Sequence, residues 1–482
     1  MGIEQLEHYL ADESRRGPAP AGAFSGAAGG APCGDLTRVS LTLEDGRIGA
    51  VSFDSEGCGA TRAASAAAAA ISEGREVLSA ARIGAGDLDC ALGGLLPAKS
   101  HAAVLAADAL HRALAAAAAS NERLAAPSSD RVLVAMSGGV DSAVAALLER
   151  ERGAEVTAVT LKLWADPRTD GTKACCSPEA VLGARGLAHS LGIPHLTLDL
   201  EEEFRRRVVG AFLAGYAAGA TPNPCMICNG EVRIAAMVNL ADRLGAGRLV
   251  TGHYARIVDD GAGLLLAAAA DPAKDQSYML AGLPPPLLGR LRFPLAGLQK
   301  RQVREIAARH DLAVARKPES QDLCFLAGQG KREFLRRYGG IGDRPGDVID
   351  RSGRRLGRHG GHHHFTVGQR RGIGVAAAEP LYVQATDPTR NTVTVGSRVD
   401  LAATEVVIRD AVLHRPSEAV DAVRLRYRSA PVPARVRDAN GAGRYESLRL
   451  ELGKPFAGPA PGQAAVLLRG ETVVGKGTIA AD

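Results

Sequence analysis

The apolar run RVLVAM (131–136) has the length of a buried strand, and it feeds straight into Ser137-Gly138-Gly139-Val140-Asp141-Ser142, where a helical pattern begins. Glycines let the backbone approach a ligand and present its N–H groups, and a helix start adds partial positive charge. A strand, a glycine turn and a helix in that order therefore make a site for phosphate. It is not a Walker A loop, because no Gly-Lys-Ser/Thr follows. Asp141 has the chemistry to hold Mg²⁺, and Ser137 and Ser142 can bond phosphate oxygens. A lone glycine turn is usually structural, so the weight falls on what surrounds it.

What surrounds it is alternation. SAVAALLERERG (142–153), EVTAVTLKLW (155–164), PEAVLGARGLAHSLGI (178–193), PHLTLDL (194–200) and RLVTGHYA (248–255) read as helix, strand, helix, strand and strand. Units of this kind predict a parallel sheet with helices on both faces, an α/β core. At 482 residues the chain exceeds one ordinary core, and further domains are expected on both sides. Upstream, TRVSLTL (37–43) and IGAVSFD (48–54) flank Asp45-Gly46 and predict a β-hairpin. GPAPAGAFSGAAGGAP (17–32) reads as loop, and helical patterns run from Thr61 to about Ser120. The polar break AAPSSD (125–130) is the best boundary. After about Leu326 the sequence turns basic and Gly-punctuated, and from about Pro380 short alternating strands predict a small β-barrel.

Charge is unevenly placed. Residues 1–125 hold 10 Lys/Arg against 15 Asp/Glu, while residues 300–371 hold 17 against 8, a local balance of +9 in a chain whose net charge is +5. A basic segment of that size suits a polyanion, through counterion release, or is simply a solvated surface. No run of strongly apolar residues has the length of a membrane span, and the charged N-terminus lacks the core of a signal peptide, so a cytoplasmic protein with no membrane partner is expected. In a reducing compartment the eight cysteines point to metal binding or thiol chemistry rather than structural disulfides.

SGGVDS in this context resembles the pyrophosphate loop of the ATP pyrophosphatases, which pass AMP to an oxygen that a nucleophile then displaces. The loop leaves the nucleophile open. Taken with TPNPCMICN (221–229), TGHYAR (251–256), KDQSYML (274–280), KPESQDLCFL (317–326), HHHFTVGQRRGIGV (362–375) and LRYRSAPVPA (425–434), the chain from about residue 130 onward resembles the tRNA 2-thiouridylase (MnmA) family. These separated motifs arrive in the family's order.

The resemblance implies a tRNA-uridine 2-sulfurtransferase. Such an enzyme adenylates the C2 oxygen of a uridine, most typically wobble U34, and replaces it with sulfur, using ATP, Mg²⁺ and a cysteine desulfurase or other sulfur donor protein. Carried onto this sequence, it makes Cys324 the persulfide carrier and Cys228 the partner thiol that closes a disulfide with it. It places Ala135, Met136, Ser137, Gly138, Gly139, Val140, Asp141, Ser142, Leu161 and Gly252 around ATP. Asn223, Pro224 and Cys225 match base contacts, and Lys274, Asp275, Gln276, Arg426 and Tyr427 match tRNA contacts. One departure is Cys225, where many members have Asp. Cys225, Cys228 and Cys324 then form a donor set for an iron–sulfur cluster as well as for persulfide chemistry, and Cys175-Cys176 stand on a nearby loop as further thiols or as a helix-start pair.

At the other end, APCGD (31–35), EGCGA (56–60) and LLPAKSH (95–101) resemble the iron–sulfur scaffold proteins NifU and IscU. Cys33, Asp35, Cys58 and His101 match that family's site and make a reasonable Zn²⁺ set, but Ala102 stands where the family has its third cysteine. This undermines cluster assembly and favours a docking role toward the desulfurase, with a purely structural role open. Cys90 is expected in the core.

The resulting reading is an α+β NifU/IscU-like domain (1–124), an α/β ATP-pyrophosphatase core (125–325), a small central tRNA-binding domain (326–379) and a C-terminal β-barrel (380–482). Two rivals stand beside it. An ATP-dependent amidotransferase or synthetase lacks a visible glutaminase domain and leaves the cysteines idle. A metallochaperone with a regulatory ATPase half would use them as ligands.

Overall fold

The computed structural model describes residues 2–30, 34–164, 166, 177–318, 323–326, 328–439 and 441–481. Cys33, Cys175 and Cys176 lie outside the described residues.

The first unit is a helix, Gly2–Ala11, followed by strands β1 (Phe24–Gly29), β2 (Leu36–Glu44) and β3 (Arg47–Glu56) in one antiparallel sheet of order β1-β2-β3. The β2–β3 hairpin turns at Asp45 and Gly46, both with positive φ, as the Asp-Gly pair predicts. β1 lies inside the stretch expected to be loop. Its Ala and Gly content disguises a strand whose small side chains let a helix lie flat upon it. A Cβ at Gly26 would overlap backbone atoms of Ala113 and Ala109 in the helix His101–Ala119. Cys90 is exposed, not in the core, because Leu88 takes the inward position of the short helix Ala85–Ala91 and Cys90 sits most of a half-turn away.

The catalytic-type core contains β4 (Ser128–Ala135), β5 (Glu155–Lys162), β6 (His195–Asp199) and β7 (Ala246–Thr251), then a hairpin of β8 (Arg256–Asp259) and β9 (Leu264–Ala267), then β10 (Leu291–Arg292). Five of these form a parallel sheet of order β10-β7-β4-β5-β6. Chain order reverses at β4, with β5 on one side and β7 on the other. Ligands of open α/β sheets bind at such a switch point, beyond the strands' carboxyl ends, which is where SGGVDS lies.

The helix His101–Ala119 packs on β1 and β2 with one face and on β6 with another. By length and hydropathy the stretch 97–119 is the one candidate bilayer span among the described residues, yet most of it is buried, which is the position of a core helix. The two units share one continuous apolar core that includes Leu114, Leu124, Leu196 and Leu244. Arg185 donates to Asp108 at 2.6 Å across the junction. Arg243 donates to the carbonyls of Ala118 and Ser120 at 2.6 and 2.5 Å, capping the helix from the neighbouring unit.

Beyond the core, β11 (Gly346–Ile349), β12 (Arg355–His359), β13 (Tyr382–Asp387) and β14 (Thr392–Gly396) make a sheet of order β12-β11-β14-β13. Pairing thus carries the central unit past residue 379, since β13 and β14 bond to it and not to the barrel. The barrel comprises β15 (Ala402–Leu413), β16 (Ala422–Arg424), β17 (Val432–Arg437), β18 (Gly443–Ala457), β19 (Ala464–Arg469) and β20 (Thr472–Ile479). It closes through β15–β20, and β9 attaches to β20, so a hairpin of the core extends the barrel's sheet.

If the contact at Gly26 sets the spacing of helix and sheet, Gly26→Ala should cost about 1–3 kcal/mol by overpacking. A urea-denaturation midpoint equal to that of the parent chain would show that the helix has room to move.

Candidate active site

β4 delivers the chain to Met136, whose N–H is bound by the Val159 carbonyl at 2.8 Å, and the loop turns at Gly138 with φ +68° before the helix Val140–Glu151 starts. Ser142 Oγ donates to the Gly139 carbonyl at 3.0 Å and accepts from the Ser137 N–H at 3.1 Å, so the loop is closed on itself. Asp141 accepts from the Tyr254 hydroxyl at 2.8 Å and from Lys300 Nζ at 2.7 Å. Gly252, at the end of β7, has no space for a side chain: a Cβ there would lie 2.8 Å from the Asp141 carbonyl carbon. Leu161 is buried on β5. The ten residues expected around ATP thus gather at the carboxyl ends of β4, β5 and β7.

Asn223 caps the short helix Pro224–Ile227 by accepting from the Met226 N–H at 3.2 Å. Cys228 is buried at the head of a π-helical stretch, Cys228–Arg233; wide turns of this kind recur at functional sites. Burial pushes the half-buried Cys225 thiol's pKa up, and Arg233 partly opposes this. Cys324 is half-buried on a turn whose next residue, Phe325, is fully buried against Phe212, Phe334 and Phe204 at 5.0, 5.0 and 5.9 Å between ring centres. That aromatic anchor fixes the chain at Cys324.

Asp275 is buried and accepts from Arg424 at 2.9 Å, from Ser277 Oγ at 2.9 Å and from the Ser277 and Ala269 N–H groups at 3.1 and 3.2 Å. It joins the core to the barrel. Gln276 holds the Tyr254 N–H at 3.0 Å. A cleft of about 220 Å³ opens beside them, lined by Pro272, Ala273, Asp275, Arg424, Tyr427 and Arg428. Lys274 is half-buried and Arg426 is exposed, the latter donating to the Gly458 carbonyl at 3.0 Å. Two segments expected to meet tRNA, some 150 residues apart, are therefore neighbours.

In the first unit Asp35, Cys58 and His101 converge, with ligand atoms all within 4.8 Å of one another. The Thr61 hydroxyl donates to Asp35 at 2.6 Å, and this bond, with help from His101 and Cys58, holds the buried carboxyl well below the usual range. A Cβ at Gly57 would collide with the Asp35 carboxylate, so glycine is required there. Sulfur, carboxylate and imidazole are a Zn²⁺ donor set, and the residues fit such an ion. Ala102 is fully buried and turned into the core. Among the described residues, Cys225, Cys228 and Cys324 do not form a comparable group.

Four family profiles cover this architecture: a NifU-like N terminal domain over residues 6–123, a tRNA methyl transferase HUP domain over 130–328, a tRNA methyl transferase PRC-barrel domain over 332–397 and an aminomethyltransferase beta-barrel domain over 409–479. The bifunctional protein NifU/MnmA of Rubrobacter xylanophilus is 46% identical across 99% of this chain and 98% of its own. The chain belongs to the NifU/MnmA family. Its larger part is also similar to the tRNA-specific 2-thiouridylases MnmA of Acidithiobacillus ferrooxidans (42% identical, 72% of this chain, 98% of the relative) and Acidothermus cellulolyticus (44%, 73% and 97%).

Within this NifU/MnmA chain, sequence reasoning missed Lys300, Lys317, Tyr254 and Thr61. Tyr254 sits in TGHYAR and Thr61 one helical turn beyond Cys58, so both had a local signal; the lysines were visible only as charge. Gly252→Ala should displace Asp141 and reduce AMP formation by up to about a hundredfold while leaving tRNA binding intact. Normal AMP formation in that variant, measured by nucleotide chromatography, would refute the tight approach of β7 to the loop.

Proposed function

We propose that this chain replaces the C2 oxygen of a tRNA uridine, wobble U34, with sulfur, converting ATP to AMP and pyrophosphate, and that it works in the cytoplasm. The observation that carries this reading is the match along nearly the whole chain to a bifunctional NifU/MnmA protein. A phosphate loop at the sheet's switch point, with an anchored thiol-bearing loop and turn in the same domain, supports the chemistry.

The uridine O2 attacks the α-phosphorus held at SGGVDS, and pyrophosphate leaves with the electron pair of the broken P–O bond. Asp141, whose oxygens are held here by Lys300 and Tyr254, would join the phosphate oxygens around Mg²⁺ only by releasing Lys300; the ion supplies charge neutralisation when bound. The terminal sulfur of a Cys324 persulfide then bonds to C2 as AMP departs with the C–O electron pair. Cys228 thiolate attacks the Cys324 sulfur, leaving C2=S on the base and a Cys228–Cys324 disulfide that a thiol reductant from the sulfur donor system reopens. Asn223, Pro224 and Cys225 frame the base, and the cleft at Tyr427 and Arg428 meets the RNA backbone. Because this route needs only the two thiols to approach in turn, it does not require the grouped ligands of a cluster.

The full chain, given unmodified tRNA, ATP and sulfide or a persulfide donor, should yield 2-thiouridine detectable by nucleoside mass spectrometry. With the persulfide donor, Cys324→Ser and Cys228→Ser should fall to background. Absence of thiolated nucleoside from the parent chain refutes the reading; activity that tracks bound iron in anaerobically purified protein transfers it to the cluster mechanism.

The N-terminal unit serves as a dock for the sulfur donor. Leu36, Leu96 and Val104 are 45%, 74% and 46% exposed, and these apolar side chains stand close in sequence to Asp35 and His101. Leu96→Glu with Val104→Asp should slow thiolation when a cysteine desulfurase is the sulfur source and leave the sulfide-driven rate unchanged. Cys58→Ser should cost little with either donor. Loss of the desulfurase-driven rate in Cys58→Ser, with desulfurase binding intact, would instead place that thiol on the route of the sulfur.

A further inference from the structure

The basic stretch that begins at residue 300 bears directly on the nucleotide loop. Lys300 opens the helix Lys300–Arg309, and its Nζ donates to both carboxylate oxygens of Asp141 at 2.7 Å. The side chain is only 12% exposed, and its ammonium stands 5.9 Å from the Tyr254 ring centre. Its backbone N–H is held by Asp271 at 2.9 Å, which fixes the helix start. Lys317 reaches the same loop and donates to the Gly138 carbonyl at 2.9 Å. Arg304 donates to the carbonyls of Ala315 and Lys317 at 2.9 and 3.4 Å, tying the segment that carries Lys317 back to the Lys300 helix. One element thus brings two ammonium groups to SGGVDS, one at its glycine turn and one at its aspartate.

We propose that Lys300 and Lys317 bind the β- and γ-phosphates of ATP and stabilise the pyrophosphate as it leaves. The inference deepens the adenylation reading and rests on it. In the resting loop Lys300 cancels a carboxylate that would otherwise repel a polyphosphate at the mouth of the site. When the bond from the uridine O2 to the α-phosphorus forms and the α–β bridging bond breaks, the electron pair of that bond goes to the pyrophosphate. The new charge then lies beside two fixed cations, where stabilisation acts on the transition state more than on bound ATP. The adenosine, in contrast, is assigned by the family resemblance to Leu161 and Gly252.

The test is calorimetric titration of the full-length chain and its Lys300→Ala, Lys300→Arg and Lys317→Ala variants with AMP, with pyrophosphate and with an ATP analogue uncleavable between its α and β phosphates. Loss of a charge-assisted bond should weaken the analogue and pyrophosphate by about tenfold to a hundredfold in each alanine variant, with AMP held within about twofold. Lys300→Arg should recover most of the analogue's affinity. Equal weakening of AMP and the analogue, which a merely structural pairing with Asp141 would produce, overturns the proposal, as does unchanged affinity for all three. Lys317 is exposed, so its replacement tests the idea even if the Lys300 variants fold poorly. No tRNA is present, and the outcome is therefore independent of whether sulfur reaches uridine.

Discussion

The helix His101–Ala119 is packed against two sheets at once, and that double contact decides where both halves of the molecule stand. Its buried positions are mostly alanine, so neither sheet is held at the distance a larger side chain would impose. Alanine contributes little apolar area per residue, but it keeps helix propensity high and allows backbone-to-backbone approach at Gly26. The same helix begins at His101, which contacts Asp35 in the N-terminal group, and ends under the guanidinium of Arg243 from the unit that carries SGGVDS. Position and chemistry are therefore set by one element.

A second set of contacts controls the thiol loop. Gln463 of the barrel donates to the Thr221 carbonyl at 2.7 Å, Tyr278 to the Ala464 carbonyl at 2.8 Å, and Arg424 to buried Asp275. A buried ion pair contributes less to stability than its Coulomb attraction suggests, because both charges lose water. Its value here is registration: it fixes which barrel loop faces the core, and hence that Tyr427 lies beside the 272–275 segment.

Much of this was legible in the chain itself. The strand and helix periods around SGGVDS gave the parallel sheet, and Asp45-Gly46 gave the hairpin, because each depends on local backbone preference. β1 was not legible: apart from Phe24, FSGAAG consists of small residues with little strand propensity, and a helix covers it in the fold. The extension of the central unit to Gly396 was hidden too, since β13 and β14 alternate just as barrel strands do and only hydrogen-bond pairing tells them apart. At the site, motif residues were found by pattern, while Lys300 and Lys317 were not, because a lysine's role depends on which anion the fold puts opposite it. The net charge of residues 300–371 overstated the freely available positive surface: Arg332, Arg336, Arg337, Arg351 and Arg354 are each paired with a carboxylate.

The junction after the first unit has one more consequence. A flexible linker would let a tethered module sample a volume, and its encounters with the other half would follow an effective concentration set by linker length. Leu124 is fully buried, its N–H is held by the Arg243 carbonyl at 2.9 Å, and β4 begins at Ser128, so there is no slack to sample with. Fusion here acts as a mount rather than a leash. A partner that engages Leu36, Leu96 and Val104 arrives at one bearing and one distance from the nucleotide loop, and its shape, not the length of any tether, determines what it can reach.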